Sequence, residues 1–201
     1  KNAMQRDVDY LLQLEPDRLL HRFHLFAGLK TKGTIYTGWE SETLSGHTLG
    51  HYLSACALHY AATGDVRFKD RTEYIGNELA LCQQARKTGY IGSIPREDSV
   101  WNEVAKGNIR TAGFDLNGLW SPWYTLHKVY SGLMDAYLYT GNQQAKEIVI
   151  RFADWADELT AKLNDEQLQN MLNCEFGGMN EALLNIYAIT GKEALRSEEH
   201  T

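Results

Sequence analysis

The sequence has no apolar run near the roughly 20 residues that a bilayer-spanning helix needs, so no membrane span is expected. It has no basic run and no interleaving of aromatic with basic residues. Acids outnumber bases, 26 to 20, and the two signs are mixed along the chain, for a formal net charge of -6. Nucleic acid is therefore a poor partner, and a neutral ligand is compatible with this balance. Cysteine is scarce. Cys56, Cys82 and Cys174 form no C-x-x-C pair and no metal-ligand spacing, and they read as buried free thiols. There is no G-x-G-x-x-G and no Walker loop, and no G-x-S-x-G nucleophile elbow. No signal peptide is visible, but the chain opens at Lys1 with its first methionine at Met4, as a fragment would. Cytoplasmic and exported (periplasmic or extracellular) locations both stay open.

What is present is helix after helix. Val8-Asp9-Tyr10-Leu11-Leu12 continues at helical period to Leu14, and a second helix follows Pro16 with Leu19, Leu20, Phe23, Leu25 and Phe26. Longer helical patterns run over His47 to Thr63, Asp65 to Lys87, Pro122 to Thr140, Asn142 to Leu163 and Asn180 to Thr190. Lys30 to Gly46, with Gly33, Gly38 and Gly46, reads as loop. Nowhere do Val, Ile and Thr alternate long enough for a strand. The spacing predicts an all-α fold.

Three segments share the pattern Y-x-x-T-G: Tyr60 to Gly64, Tyr137 to Gly141 and Tyr187 to Gly191. Each closes an apolar helix with a glycine suited to the left-handed position after it. Asp65 and Asn142 follow as N-caps. Each repeat is thus a helical hairpin that must stack on neighbours to bury its faces. Tyr60 to Tyr137 is 77 residues and Tyr137 to Tyr187 is 50, unlike the steady period of about 34 of a tetratricopeptide array. Uneven spacing suits a closed double ring of helices with variable loops at one mouth. The longest loop, Gly89 to Ser121, carries Tyr90, Pro95, Trp101, Phe114 and Trp120, and a loop of that length is functional or disordered. Its aromatic content argues against disorder.

Three clusters could carry chemistry. Ser121-Pro122 opens a helix, with serine as cap and proline at the first position, and places Trp123, Tyr124 and His127 near one face. Such a group suits a sugar, because aromatic faces cover C–H patches and imidazole bonds hydroxyls. A plain aromatic plug with a satisfied histidine fits equally well. His47 and His51 stand at i, i+4, where they could bond a ligand or, with ligands not visible here, zinc. They could also be structural. Trp39-Glu40 lies just upstream and could line the same mouth. Glu175-Phe176-Gly177-Gly178-Met179-Asn180-Glu181 brings two carboxylates to a helix start. These fit acid/base work, substrate contact by Asn180 or Glu181, or simple placement of acids at a positive helix end.

Taken in order, Gly38-Trp39-Glu40, Gly46 to Ala55, Leu119 to Lys128, the Y-x-x-T-G turns and Gly177 to Leu183 resemble glycoside hydrolase family 127 and its relatives, long catalogued as a domain of unknown function. The resemblance runs from about Tyr10 to Leu195. It implies an (α/α)6 toroid, truncated here to roughly its N-terminal half over residues 1–195. It implies retaining, exo-acting release of β-linked L-arabinofuranose from arabinose-containing plant-type glycans. It further implies a zinc-bound cysteine thiolate as nucleophile and a glutamate as acid/base, an exception to the two-carboxylate scheme.

In that family the nucleophile belongs to an adjacent cysteine pair downstream of the Gly-Gly-Met-Asn-Glu stretch, and the glutamate is downstream too. This sequence has no Cys-Cys pair, and Cys174 lies upstream. No catalytic residue and no zinc ligand is carried over, so the zinc ligands are expected outside the sequence. His127 matches a family histidine expected to contact the sugar. His47, His51, Trp123, Tyr124, Asn180 and Glu181 are its expected pocket neighbours.

Two other readings remain: a different α/α-toroid carbohydrate enzyme, such as an epimerase or a different glycosidase, or a non-catalytic helical-repeat binding module. Arg196 to Thr201 resemble the translation of a short-read sequencing adapter and are expected to be a scar. A toroid cut midway leaves helix faces open. At roughly 25 cal/mol per Å² of apolar area, that loss exceeds a margin of about 5–15 kcal/mol. The chain alone is therefore expected to be inactive and poorly folded.

Overall fold

The computed structural model describes residues 2–175 and 178–192. The expected scar, residues 196–201, and Phe176-Gly177 of the third cluster lie outside them.

The helical periods become α1 (Asn2–Gln13), α4 (His47–Thr63), α5 (Val66–Arg86), α7 (Pro122–Thr140), α8 (Gln143–Thr160) and α10 (Gly178–Thr190). The stretch after Pro16 is not one helix. It breaks at Leu20 into α2 (Pro16–Leu19) and α3 (His21–Phe26), which turns Leu20 and Phe23 fully inward and leaves Leu25 exposed. A short 3-10 turn, Gly38–Ser41, interrupts the first loop.

The repeat chemistry is seen directly. Gly64, Gly141 and Gly191 have φ of 71°, 75° and 69°, and the first two end α4 and α7. The Asp65 side chain accepts from the Arg67 amide at 3.1 Å, and Asn142 accepts from Ala145 at 3.0 Å. α4 and α7 lie side by side, with Gly50 against Lys128 and Val129, and Gly132 against Gly50 and Leu53. Residue numbers rise together along this contact, so the two helices are parallel and their N-termini share one end. At Gly50 a β-carbon would sit 2.1 Å from the Lys128 carbonyl oxygen, so backbone meets backbone here. Behind this pair, α5 and α8 pack as a second layer. The Asn142 amide donates to the Thr72 carbonyl at 3.0 Å, and that of Gln83 to the Ile148 carbonyl at 3.0 Å.

The long loop is not structureless. It contains α6 (Glu97–Val104) and a small antiparallel sheet of three two-residue strands, β1 (Thr111–Ala112), β2 (Asp115–Leu116) and β3 (Leu119–Trp120), in the order β1-β2-β3. The chain is therefore predominantly helical rather than wholly so. Strands of two residues carry no readable alternation. A further helix, α9 (Asp165–Leu172), starts with a capping box between Asn164 and Gln167. The aromatic residues of the loop divide. Tyr90 and Trp101 are buried, whereas Phe114 and Trp120 are exposed. Tyr90 donates to Glu97 at 2.7 Å and accepts from the Trp101 indole at 3.0 Å. Its ring lies 4.3 Å from that of Trp155 on α8, which pins the loop to the second layer.

The three cysteines are buried and free. No helix among the described residues is long and apolar enough to cross a membrane.

Candidate functional site

Parallel α4 and α7 bring their first turns to one mouth. The His51 Nε2 lies 3.5 Å from the Tyr124 hydroxyl, and the His47 and Tyr124 rings are 6.2 Å apart. On the other flank of α7, Gly178 opens α10 against His127. A β-carbon at Gly178 would lie 2.4 Å from the imidazole Nδ1. The glycine therefore makes room for that ring. Five of the seven residues singled out in the sequence, His47, His51, Trp123, Tyr124 and His127, lie in the first two turns of these helices, and Asn180 joins them across a hollow.

That hollow, of about 300 Å³, opens between α7, α8, α9 and α10. Trp123, Tyr124, His127, Met171, Glu175 and Asn180 are among its walls. His47 and His51 flank it without lining it. Trp123 and Tyr124 line the hollow at different depths. Trp123 is buried, 4.9 Å from Trp101, and its indole N–H has no partner among the described residues. Tyr124 is exposed at the rim. Ser121 does not cap α7. It adopts a left-handed conformation, φ 43°, and its amide donates to the Phe114 carbonyl at 2.7 Å.

The third cluster places its carboxylates the other way round from expectation. Glu181 is exposed and does not line the hollow, whereas Glu175 does. Both Glu175 oxygens are buried without well-formed hydrogen bonds among the described residues. The nearest donors are the Tyr124 and Trp123 amides and the Ser121 hydroxyl, at the positive end of α7. Burial outweighs them and pushes the carboxyl up to about 7. The signal in the sequence was the same acidic residue near a helix start. What the sequence lacked was which of the two acids folds under α7.

The histidines differ in how readily they take a proton. Glu40, itself buried, accepts from the Gly46 amide at 2.9 Å and the Thr48 amide at 3.1 Å. Its carboxylate lies 3.1 Å from the His47 Nδ1. Burial alone would raise Glu40 and lower His47. The bonds between them and to Thr48, Gly46 and Leu44 win, so Glu40 falls and His47 rises. The His47 Nδ1 is also 2.6 Å from the Leu44 carbonyl. A carbonyl only accepts, so Nδ1 carries a proton. Burial and the Lys128 charge lower His51. Burial, then the charges of Lys128 and His51, lower His127 to about 4. Near neutral pH the mouth therefore offers two neutral imidazoles beside one that is readily protonated. Neutral imidazole both donates and accepts, which matches a sugar hydroxyl.

The zinc implied by the resemblance does not fit these residues. No three His, Cys, Asp or Glu side chains among the described residues are grouped to hold a metal. Burial pushes the thiols of Cys56, Cys82 and Cys174 up to about 12, so each stays protonated near neutral pH.

Residues 1–197 match the sequence profile of a family described as β-L-arabinofuranosidase, GH127 catalytic domain. Among solved structures, the chain is similar to the crystal structure of a GH127 β-L-arabinofuranosidase from Geobacillus stearothermophilus T6, with a TM-score of 0.64 and 17% identity. That similarity covers 92% of this chain and 26% of the other, so the chain spans about a quarter of that protein's length. A comparison with curated proteins gives no match.

Proposed function

We propose, from the premise that this chain belongs to the GH127 catalytic-domain family of glycoside hydrolases, that it forms the N-terminal, sugar-binding part of a longer, retaining, exo-acting β-L-arabinofuranosidase. In this reading residues 1–195 contribute one side of an (α/α)6 toroid, and the nucleophile, the acid/base glutamate and any zinc ligands come from beyond them. The reading rests on one observation. The first turns of α4 and α7, with Asn180 of α10, bring His51, Tyr124, His127 and Asn180 to one mouth.

His127 is the central contact. Its neutral ring is positioned by Gly178 and hydrogen-bonds sugar hydroxyls. His47, His51, Tyr124 and Asn180 shape the surrounding wall, and Trp123 backs it from the core. Glu181, exposed at the start of α10, would contact substrate only from the rim. Glu175, protonated up to about pH 7, presents a hydroxyl rather than a charge to a neutral glycan.

The experiment uses the full-length enzyme. Wild-type protein is expected to release L-arabinose from β-L-arabinofuranosides. His127→Ala is expected to lower kcat/KM by about 10²-fold or more, the loss of roughly 2.7 kcal/mol of transition-state contact. Melting behaviour should be unchanged, since the ring is only half-buried. No release of arabinose by the wild type, or a His127→Ala enzyme as active as wild type, would sink this reading.

A further inference from the structure

Two tryptophans stand beside this mouth, outside the hollow. Trp39 is 61% exposed and Trp120 is 42% exposed. Their rings meet edge to face, 6.1 Å apart. Trp39 is also 6.0 Å from His47, whose ring faces Tyr124 at 6.2 Å. An exposed apolar residue on its own needs no explanation, but a contiguous aromatic patch at a pocket rim does.

The backbone carrying each ring is fixed. Around Trp39, Arg22 donates to the Ser41 and Glu42 carbonyls, each at 2.6 Å, and Glu40 is tied to the first turn of α4. Trp120 sits on β3, paired with Asp115 of β2. Beside it, Arg96 donates to the Gly118 carbonyl at 2.9 Å. Rings on a fixed backbone lose little conformational freedom when a ligand covers them.

We propose that Trp39 and Trp120 form an acceptor subsite, stacking the second sugar ring of a glycan whose terminal sugar occupies the mouth. This rests on the glycosidase reading above. Continuity is the argument for a sugar as occupant. Trp39, His47 and Tyr124 form an unbroken row of rings from the platform to the rim of the hollow. Indole faces cover the apolar C–H face of a sugar, and the His47 imidazole beside Trp39 bonds its hydroxyls. Among the described residues no lysine or arginine lies over either tryptophan ring, which suits a neutral sugar.

The test compares two substrates of the full-length enzyme. Methyl β-L-arabinofuranoside has no second ring, and a β-L-arabinofuranosyl disaccharide has one. Trp39→Leu and Trp120→Leu keep apolar bulk but lose the flat face. Each is expected to raise KM for the disaccharide about tenfold. Each should leave kcat/KM for the methyl glycoside within about twofold, with an unchanged melting temperature. Trp39→Phe and Trp120→Phe should recover part of the loss. Equal losses on both substrates, or a fall in melting temperature with them, would overturn the proposal and make the pair a packing surface for the rest of the chain. No change on either substrate would overturn it as well. Wild-type enzyme that cleaves neither arabinofuranoside refutes the glycosidase reading, and this subsite with it.

Discussion

Glu175 and Glu97 are carboxylates that this fold makes expensive to ionise. Burial pushes each up to about 7, against about 4.3 for an unperturbed glutamate. Between those values the folded chain holds protons that the unfolded chain has released. Stability therefore falls as pH rises through that window and levels off above it. Glu175→Gln removes one of the two contributions. We expect the variant to gain stability relative to wild type as pH rises from 5 to 8, measured by urea denaturation at each pH. A wild-type-like slope in the variant would show that Glu175 is charged in the fold. Glu97 is the less suitable probe, because it accepts from Tyr90 and the Ile94 amide and pairs with Arg86 at 3.4 Å. The sequence made His127, Tyr124 and Trp123 legible as a group but not their directions. Adjacent residues on a helix point about 100° apart, and only packing decided that Trp123 faces the core. Glu175 and Glu181 were equally acidic on paper, and the chain path ahead of α10 separates them.

At the level of helices, local chemistry was the most readable part. A glycine that ends a helix and a cap that starts the next are short-range signals, and the Asp65 and Asn142 caps formed as their types require. Their weights differ. Asp65 caps α5 and is half-exposed. Asn142 is buried, and besides capping α8 it donates to the Thr72 carbonyl of α5. Asp65→Ala should lower stability by the smaller amount, since it loses only the cap. Asn142→Ala should cost about 2 kcal/mol, because it also removes the buried hydrogen bond that ties α8 to the Thr72 carbonyl of α5. Equal losses in denaturation experiments would mean that the link between α5 and α8 contributes nothing. The eight-residue helices α6 and α9 were missed because two turns show too few apolar positions to fix a period. The small sheet was missed because its order comes from Asn117, whose side chain bonds the Arg110 amide at 2.7 Å and the Asn108 carbonyl at 2.8 Å. The break at Leu20 was missed because the core, rather than any helix breaker, demands it.

For the molecule as a whole, the parallel course of α4 and α7 follows from where the repeats begin and end, and the uneven spacing is absorbed by the long loop between α5 and α7. If the chain is the first part of a larger ring, then α10 lacks its next neighbour, and Leu184 on it is exposed. The isolated 201-residue chain should then melt over a broader range and at a lower temperature than the full-length protein, and bind a hydrophobic dye. Calorimetry showing a sharp transition at the full-length temperature would contradict this.

The contact at Gly50 and Gly132 has a consequence for how such a mouth can change. Where α4 and α7 touch, peptide groups rather than side chains set the separation, so no rotamer change at that contact can move apart the two backbones that carry His51 and Tyr124. The opposite flank is held differently, by an imidazole resting on Gly178, and a ring can turn or be replaced. One wall of the aperture is thus a fixed jaw and the other an adjustable one. Selection or engineering for a bulkier sugar has its room to work on the side of His127 and α10.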